Sequence, residues 1–130
     1  MILQGKCSEF GGPNDTGMAN DTGLAFYEPH EADMRPDLFT SGGANTPTWK
    51  RLRTESKYIA LNIPMGATRR WAQRSKWLVT NLKTNKKVSC YLVDRGPGAP
   101  GRVVDCSPGV LKAIDAKTDD ILEVEELIWQ

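Results

Sequence analysis

The sequence predicts a mainly β domain, built as a small closed barrel of short strands. Three observations carry that prediction. Short strand-like apolar runs recur, among them Tyr58–Ile63, Trp77–Asn81 and Lys87–Val93. Turn residues separate them, with 12 Gly and 8 Pro in 130 residues. A full set of helix start signals appears in one place, where Ser107 suits an N-cap and Pro108 the first helical position. Many turns, short strands and little helix are the pattern of a small barrel.

The elements follow in chain order. Residues 11–23, GGPNDTGMANDTG, repeat the unit N-D-T-G, and so much Gly, Asn and Asp reads as tandem turns. The alternative puts Asp15 or Asp21 at the rim of a cleft; a calcium loop lacks the D-x-D-x-D-G spacing and trailing Glu. Leu24–Tyr27 is a short apolar strand candidate. His30–Thr48, with Pro36, Gly42-Gly43 and Pro47, reads as a long ordered loop with a helical turn at Glu31–Met34. Trp49–Glu55 is short and basic, and Tyr58–Ile63 is a strand stopped by Pro64 and Gly66. Ala67–Lys76, ATRRWAQRSK, reads as a basic loop or irregular edge rather than a helix. Trp77–Asn81 is a strand, and Lys83–Lys86 a turn in which Asn85 suits positive φ. Lys87–Val93 alternates, so Val88, Cys90 and Leu92 face a core. A helix from Pro108 to Ala116 turns Val110, Leu111 and Ile114 inward. Ile121, Leu122, Val124, Leu127 and Ile128 form the last strand, with Glu123, Glu125 and Glu126 between them.

Composition bounds the function. Residues 1–130 make one domain, long enough for a real core. The formal net charge of +1 gives no field to hold a polyanion, so nucleic acid is disfavoured and binding must come from a local site. No apolar run approaches the ~20 residues of a membrane-spanning helix, so no membrane insertion is expected. The start, MILQGKCSEF, shows no signal peptide. Three cysteines, Cys7, Cys90 and Cys106, cannot all pair within one chain, and all are expected to be reduced. With one His and no C-x-x-C, neither a zinc site nor any other metal or cofactor is expected. A Cys–His30 nucleophile lacks a recognisable setting.

Residues Asp94 to Pro108 read DRGPGAPGRVVDCSP and carry the chemistry-bearing signal. Asp94 and Asp105 each end or nearly end a β-like run and flank a loop of Gly96, Pro97, Gly98, Pro100 and Gly101. Two acids at strand ends suit acid/base work. The structural reading stands beside it: Asp94 accepts backbone N–H groups and holds the turn, and Asp105 is a cap. Arg95 and Arg102 pair with these acids or with a substrate carboxylate. Trp49, Trp71 and Trp77 lie in or beside basic sequence, where an exposed indole could stack on a sugar ring. Trp71, flanked by Arg69, Arg70 and Arg74, is the first candidate; Trp77 and Trp129 read equally as core.

With Val79–Leu82 (VTNL) upstream and Ser107–Ile114 downstream, the stretch resembles the signature half of the rare lipoprotein A double-psi β-barrel. There a V-T-N-L hairpin feeds a D-R-G-P turn, a G-R-[IV]-[IV]-D strand, a Ser-started helix and a last strand. The match runs from Trp77 to about Ile128, roughly two fifths of the chain. Cys7–Gly12 stands where the family has a Y-G segment, and Ile63-Pro64-Met65-Gly66 where it has L-P-[FM]-G, with a longer insert between. Relatives by fold include MltA-type lytic transglycosylases, expansins, barwin and family 45 glycoside hydrolases. The resemblance implies a six-stranded double-psi barrel with one or two short helices and a long N-terminal insert. It also implies action on peptidoglycan or another polysaccharide, with Asp105 in the catalytic position. An acid must protonate the leaving oxygen as an oxocarbenium-like transition state develops; an inverting hydrolase needs a second carboxylate about 6.5–9.5 Å away. Asp94 is nearest in the motif, with Glu9 and Asp15 candidates if the N-terminal strand crosses the cleft. Trp71, Arg95 and Arg102 complete the expected substrate contacts, in a groove shared with residues 30–48. Family members are usually exported, so the missing leader implies a virion-associated or secretion-apparatus lysin, cytoplasmic before release. The competing expectation, from expansin- and barwin-like barrels, is a non-catalytic glycan-binding or structural module of a phage tail or injection apparatus.

Overall fold

The structure, a computed structural model, describes residues 2–11, 24–43, 46–63 and 66–127. Its elements are β1 (Ile2–Glu9), α1 (Pro29–Ala32), β2 (Phe39–Gly43), β3 (Thr46–Leu52), β4 (Tyr58–Leu61) and α2 (Arg69–Arg74). There follow β5 (Lys76–Asn81), β6 (Lys87–Arg95), β7 (Arg102–Cys106), α3 (Pro108–Ala113) and β8 (Ile121–Leu127). Six strands close a barrel in the order β1-β7-β4-β6-β5-β8, while β2 and β3 form a separate two-stranded sheet. Closure leaves the barrel strands no unpaired edge. β1 runs parallel to β7 and β4 parallel to β6; the other four barrel pairings are antiparallel.

The interior follows from the alternation of side chains along each strand. Cys7, Ile59, Leu61, Trp77, Val79, Cys90, Leu92, Val104, Cys106, Leu122 and Val124 are all completely buried. Val88, expected on the same face as Cys90 and Leu92, is only half-buried. The β5–β6 turn takes the expected form, with Asn85 at φ 61°. Fully buried Asn81 anchors it: its amide donates to the carbonyl of Ile114 at 2.9 Å and its oxygen accepts from the Lys83 N–H at 3.0 Å.

α3 starts as its sequence dictates. The Ser107 hydroxyl accepts from the Val110 N–H at 3.0 Å and donates to the Ser56 carbonyl at 2.6 Å, with Pro108 in the first turn. Val110, Leu111 and Ile114 are buried. The helix ends at Ala113 rather than Ala116, and Asp115 beyond it takes a left-handed φ of 53°. Gly109 is required by close packing: a Cβ there would lie 2.3 Å from the Glu55 carbonyl oxygen.

Other expectations are corrected. Helices number three among the described residues, not one or two. Ala67–Lys76 contains α2, because the Thr68 hydroxyl accepts from the Trp71 N–H at 3.1 Å and Ala72 is buried; cap and packing outweigh a sequence without clear periodicity. The helical turn in residues 30–48 falls earlier, at α1, where Glu28 and Glu31 form a capping box around Pro29. The rest of that segment contributes β2 and the start of β3, paired from Phe39 opposite Leu52, so it is not simply a loop. Leu24–Tyr27 is not a strand. Leu24, Phe26 and Tyr27 are buried, but the N–H groups of Ala25 and Phe26 go to the Asp94 carboxylate and the Val93 carbonyl instead of a ladder.

The α3 start is expected to be a stability hinge. Ser107→Ala removes the cap and leaves the buried Val110 N–H without its acceptor, for a loss of about 1–3 kcal/mol in urea denaturation. Gly109→Ala should cost at least as much; a loss below about 0.5 kcal/mol in both would refute the assignment.

Candidate functional site

The two aspartates of the loop motif are brought together by register. β4 lies between β7 and β6, and Ala60 pairs with Asp105 on one side and Asp94 on the other. β1 extends the row, since Ser8 pairs with Asp105. Ile59, Leu61, Val104 and Cys106 fill the interior, so Ser8, Asp105, Ala60 and Asp94 share the outer face. Two strand spacings set the Cα atoms of Asp105 and Asp94 about 10 Å apart.

A bulge makes this possible. Ile59 pairs with Leu92, but Ala60 pairs with Asp94, leaving Val93 as the extra residue. Unbroken alternation from Cys90 and Leu92 would turn Asp94 into the barrel. The inserted residue turns it outward, onto the face of Asp105.

Asp94 is half-buried and firmly held. One carboxylate oxygen accepts from the N–H of Ala25 and from that of Arg95, each at 2.8 Å. Burial raises its pKa above the usual carboxylate range; the two N–H bonds and the Arg95 charge pull the other way without cancelling it. Asp105 is also half-buried, with its Oδ2 3.1 Å from where a Cβ on Gly96 would stand. Gly96 has φ 140°, so a side chain there would be strained and would crowd the carboxylate. Its N–H donates to the Leu61 carbonyl at 3.2 Å, and the Asn62 amide donates to the Pro97 carbonyl. Both bonds fasten the loop to the end of β4.

The arginines of the motif also fasten neighbouring segments of the chain. Arg95 donates to the carbonyls of Ile63 at 2.5 Å and Ala67 at 3.4 Å, and lies 5.0 Å over the Phe26 ring. Arg102 turns to β1, donating to the Cys7 carbonyl at 2.6 Å and the Ser8 hydroxyl at 3.1 Å, and pairs with Asp119. Glu9 is exposed opposite Cys106, one residue off the row and on the other face by alternation. Asp15, Asp21, Trp129 and the side chain of Trp49 lie outside the described residues.

Trp71 is half-buried on α2, its ring edge-on to that of buried Trp77 at 6.3 Å and 88°. It lines a hollow of about 480 Å³ with Thr68, Arg70, Arg74, Glu126 and Leu127. Glu31, Met34 and Arg35 line a second hollow, of about 350 Å³, with Tyr27, Gln73 and Arg74. α2 and residues 30–48 thus share a cleft, but neither aspartate lines either hollow, against the expected single groove. The Leu24–Tyr27 segment touches both regions. Ala25 is bound to Asp94, while the Phe26 carbonyl accepts from the Gln73 amide at 2.8 Å.

Among the described residues, Glu28, His30 and Glu31 could bring ligand atoms within 4.8 Å of one another. Arg69 already pairs with both carboxylates, at 2.9 and 3.2 Å, and meets that charge. Cys7, Cys90 and Cys106 are buried and free. Burial raises all three thiol pKa values, so none is poised as a nucleophile. Sequence reasoning missed Ser8, Asn62 and the aim of Asp94. For Ser8, the signal was alternation beside Cys7; for Asp94 there was none, because a bulge depends on the partner strand. The chain matches no protein-family model and no curated protein.

A raised pKa in the folded state means that the fold favours protonated Asp94. Its contribution is therefore present at low pH and is lost as pH rises through the folded value. Asp94→Asn keeps an oxygen for both N–H groups and cannot ionise. As pH rises above the ordinary carboxylate range, about pH 4, wild-type stability should fall relative to that variant. Parallel urea-denaturation curves across that range would contradict this. Asp94→Ala, which removes the acceptor of both N–H groups, should cost about 0.5–1.5 kcal/mol.

Proposed function

We propose that this chain acts on a polysaccharide, the glycan strand of peptidoglycan being the best-fitting substrate, and cleaves a glycosidic bond with Asp105 as the acid. One observation carries the reading: Asp105 and Asp94 flank Ala60 on one outer face of a closed barrel. The rare lipoprotein A-like, double-psi reading draws support from the six-strand closure and the two parallel pairs, each with a register shift. The separate β2–β3 sheet supports reading residues 30–48 as part of an insert on that barrel.

Asp105 protonates the leaving oxygen and then serves as base. In the transglycosylase course, the sugar's own C6 hydroxyl closes an anhydro ring and no water nucleophile is required. In a hydrolytic course Asp94 is the second carboxylate; a carboxyl separation of about 6.5–9.5 Å gives inversion and one of about 5–5.5 Å retention. Its raised pKa makes the Asp94 carboxylate a stronger base once ionised, so product analysis and not acidity separates the two courses. Arg95, Asn62 and Gly96 position the loop that bears on Asp105.

A second reading, a non-catalytic glycan-binding or structural module of a phage tail or injection apparatus, has one observation in its favour. Asp94 already accepts two backbone N–H groups, the arrangement of a carboxylate that holds structure.

Incubation with purified peptidoglycan, with and without peptide stems, followed by mass analysis of products separates these readings. Anhydro-muramyl ends indicate the transglycosylase, reducing ends the hydrolase, and absence of products the binding module. Asp105→Asn should lower product formation at least about a hundredfold while its melting temperature stays near wild type. Full turnover in that variant would move the acid role to another residue, with Asp94 examined first.

A further inference from the structure

We propose that the hollow beside Trp71 is a binding site for an acidic sugar, a pyranose carrying a carboxylate, distinct from the aspartate row. The proposal rests on the carbohydrate reading above and adds that charge is what this hollow selects.

Its volume, about 480 Å³, lies within the range of small-molecule sites. Trp71 supplies the stacking surface. Buried Trp77 fixes its ring edge-on, while Trp71 itself stays partly exposed, so the indole is oriented before any ligand arrives. The apolar C–H face of a pyranose packs on such a ring. Leu127 adds apolar wall on the side of β8.

The charge comes from α2. Arg70 and Arg74 are four residues apart on one side of the helix, and both line the hollow. Arg69 is occupied by Glu28 and Glu31, and Arg74 has a partner of its own. Arg70 is exposed and makes no hydrogen bond or ion pair among the described residues. A guanidinium in that state offers a planar fork that fits a carboxylate through two parallel N–H bonds. Glu126, which also lines the hollow, accepts from sugar hydroxyls and repels additional negative charge. That balance of charges fits one carboxylate per ring better than a phosphate or a diphosphate. Arg74 also borders the second hollow, so a chain longer than one sugar can pass from Trp71 across Arg74 toward Gln73 and Glu31.

Titration with a galacturonate oligomer, with its methyl ester and with a nucleoside diphosphate tests the proposal, read by tryptophan fluorescence and calorimetry. The free acid should bind at least about tenfold more tightly than the ester, and added salt should erode that advantage. Arg70→Gln should remove the preference, weakening the acid about tenfold and the ester little. Trp71→Phe should weaken both sugars, with circular dichroism reporting that the fold persists. Equal affinity for acid and ester, an unaffected Arg70→Gln, or tighter binding of the nucleoside diphosphate would overturn the proposal. Peptidoglycan cleavage by the wild-type protein, measured alongside, keeps the two readings apart. Cleavage without charge preference overturns only the acidic-sugar site; charge preference without cleavage overturns only the reaction; neither result overturns both.

Discussion

The pairing of β4 with its two neighbours is the constraint on which the rest of this structure depends. β4 has only four residues, and all are buried. Its inner side chains, Ile59 and Leu61, help fill the barrel; its outer ones, Tyr58 and Ala60, are covered by other parts of the chain. Small Ala60 lies buried between Asp105 and Asp94. A large residue there would stand between the carboxylates, and a one-residue slip would turn both away from it.

The covering of Tyr58 shows how the N-terminal residues are tied to that strand. The Phe10 ring meets Tyr58 edge-on at 5.3 Å, and the Tyr58 hydroxyl donates to the Gly11 carbonyl at 3.2 Å. On the other flank, Asp94 takes the Ala25 N–H and Arg95 lies over Phe26. These contacts join sequence-distant segments around the carboxylate pair. They also explain why Asp94 is desolvated, which raises its pKa above normal even though its two N–H bonds pull the other way.

Charge on the insert side is arranged differently. Glu28 and Glu31 hold Arg69, and the Arg35 guanidinium binds Asp37 while lying 4.6 Å over the Tyr91 ring. Most of these groups are partly exposed, so each pair adds little to stability on its own. Their effect is to fix α1 and residues 30–48 against α2 and β6, which gives the clefts around α2 their walls. The two halves of the surface thus have separate characters: a carboxylate row over β4, and a cationic, aromatic cleft along α2.

Local chemistry alone determined several features. Lys87–Val93 alternates, so Cys90 and Leu92 had to face inward; Ser107-Pro108 had to open a helix; Asn85 suited a left-handed turn. In each, the deciding atoms lie within a few residues, and a closed β-barrel with two loop-flanking aspartates follows from such elements. What only the tertiary structure decided depends on distant partners. α2 has a local cap in Thr68, but ATRRWAQRSK has no helical apolar stripe, and it is the burial of Ala72 against the rest of the chain that holds it. Leu24–Tyr27 is apolar yet no strand, because its N–H groups find Asp94 and Val93. Arg102 lies in the motif with the aspartates but reaches β1 and Asp119. Above all, the aim of Asp94 was illegible: a bulge is a mismatch between two strands, and one strand's sequence does not contain it.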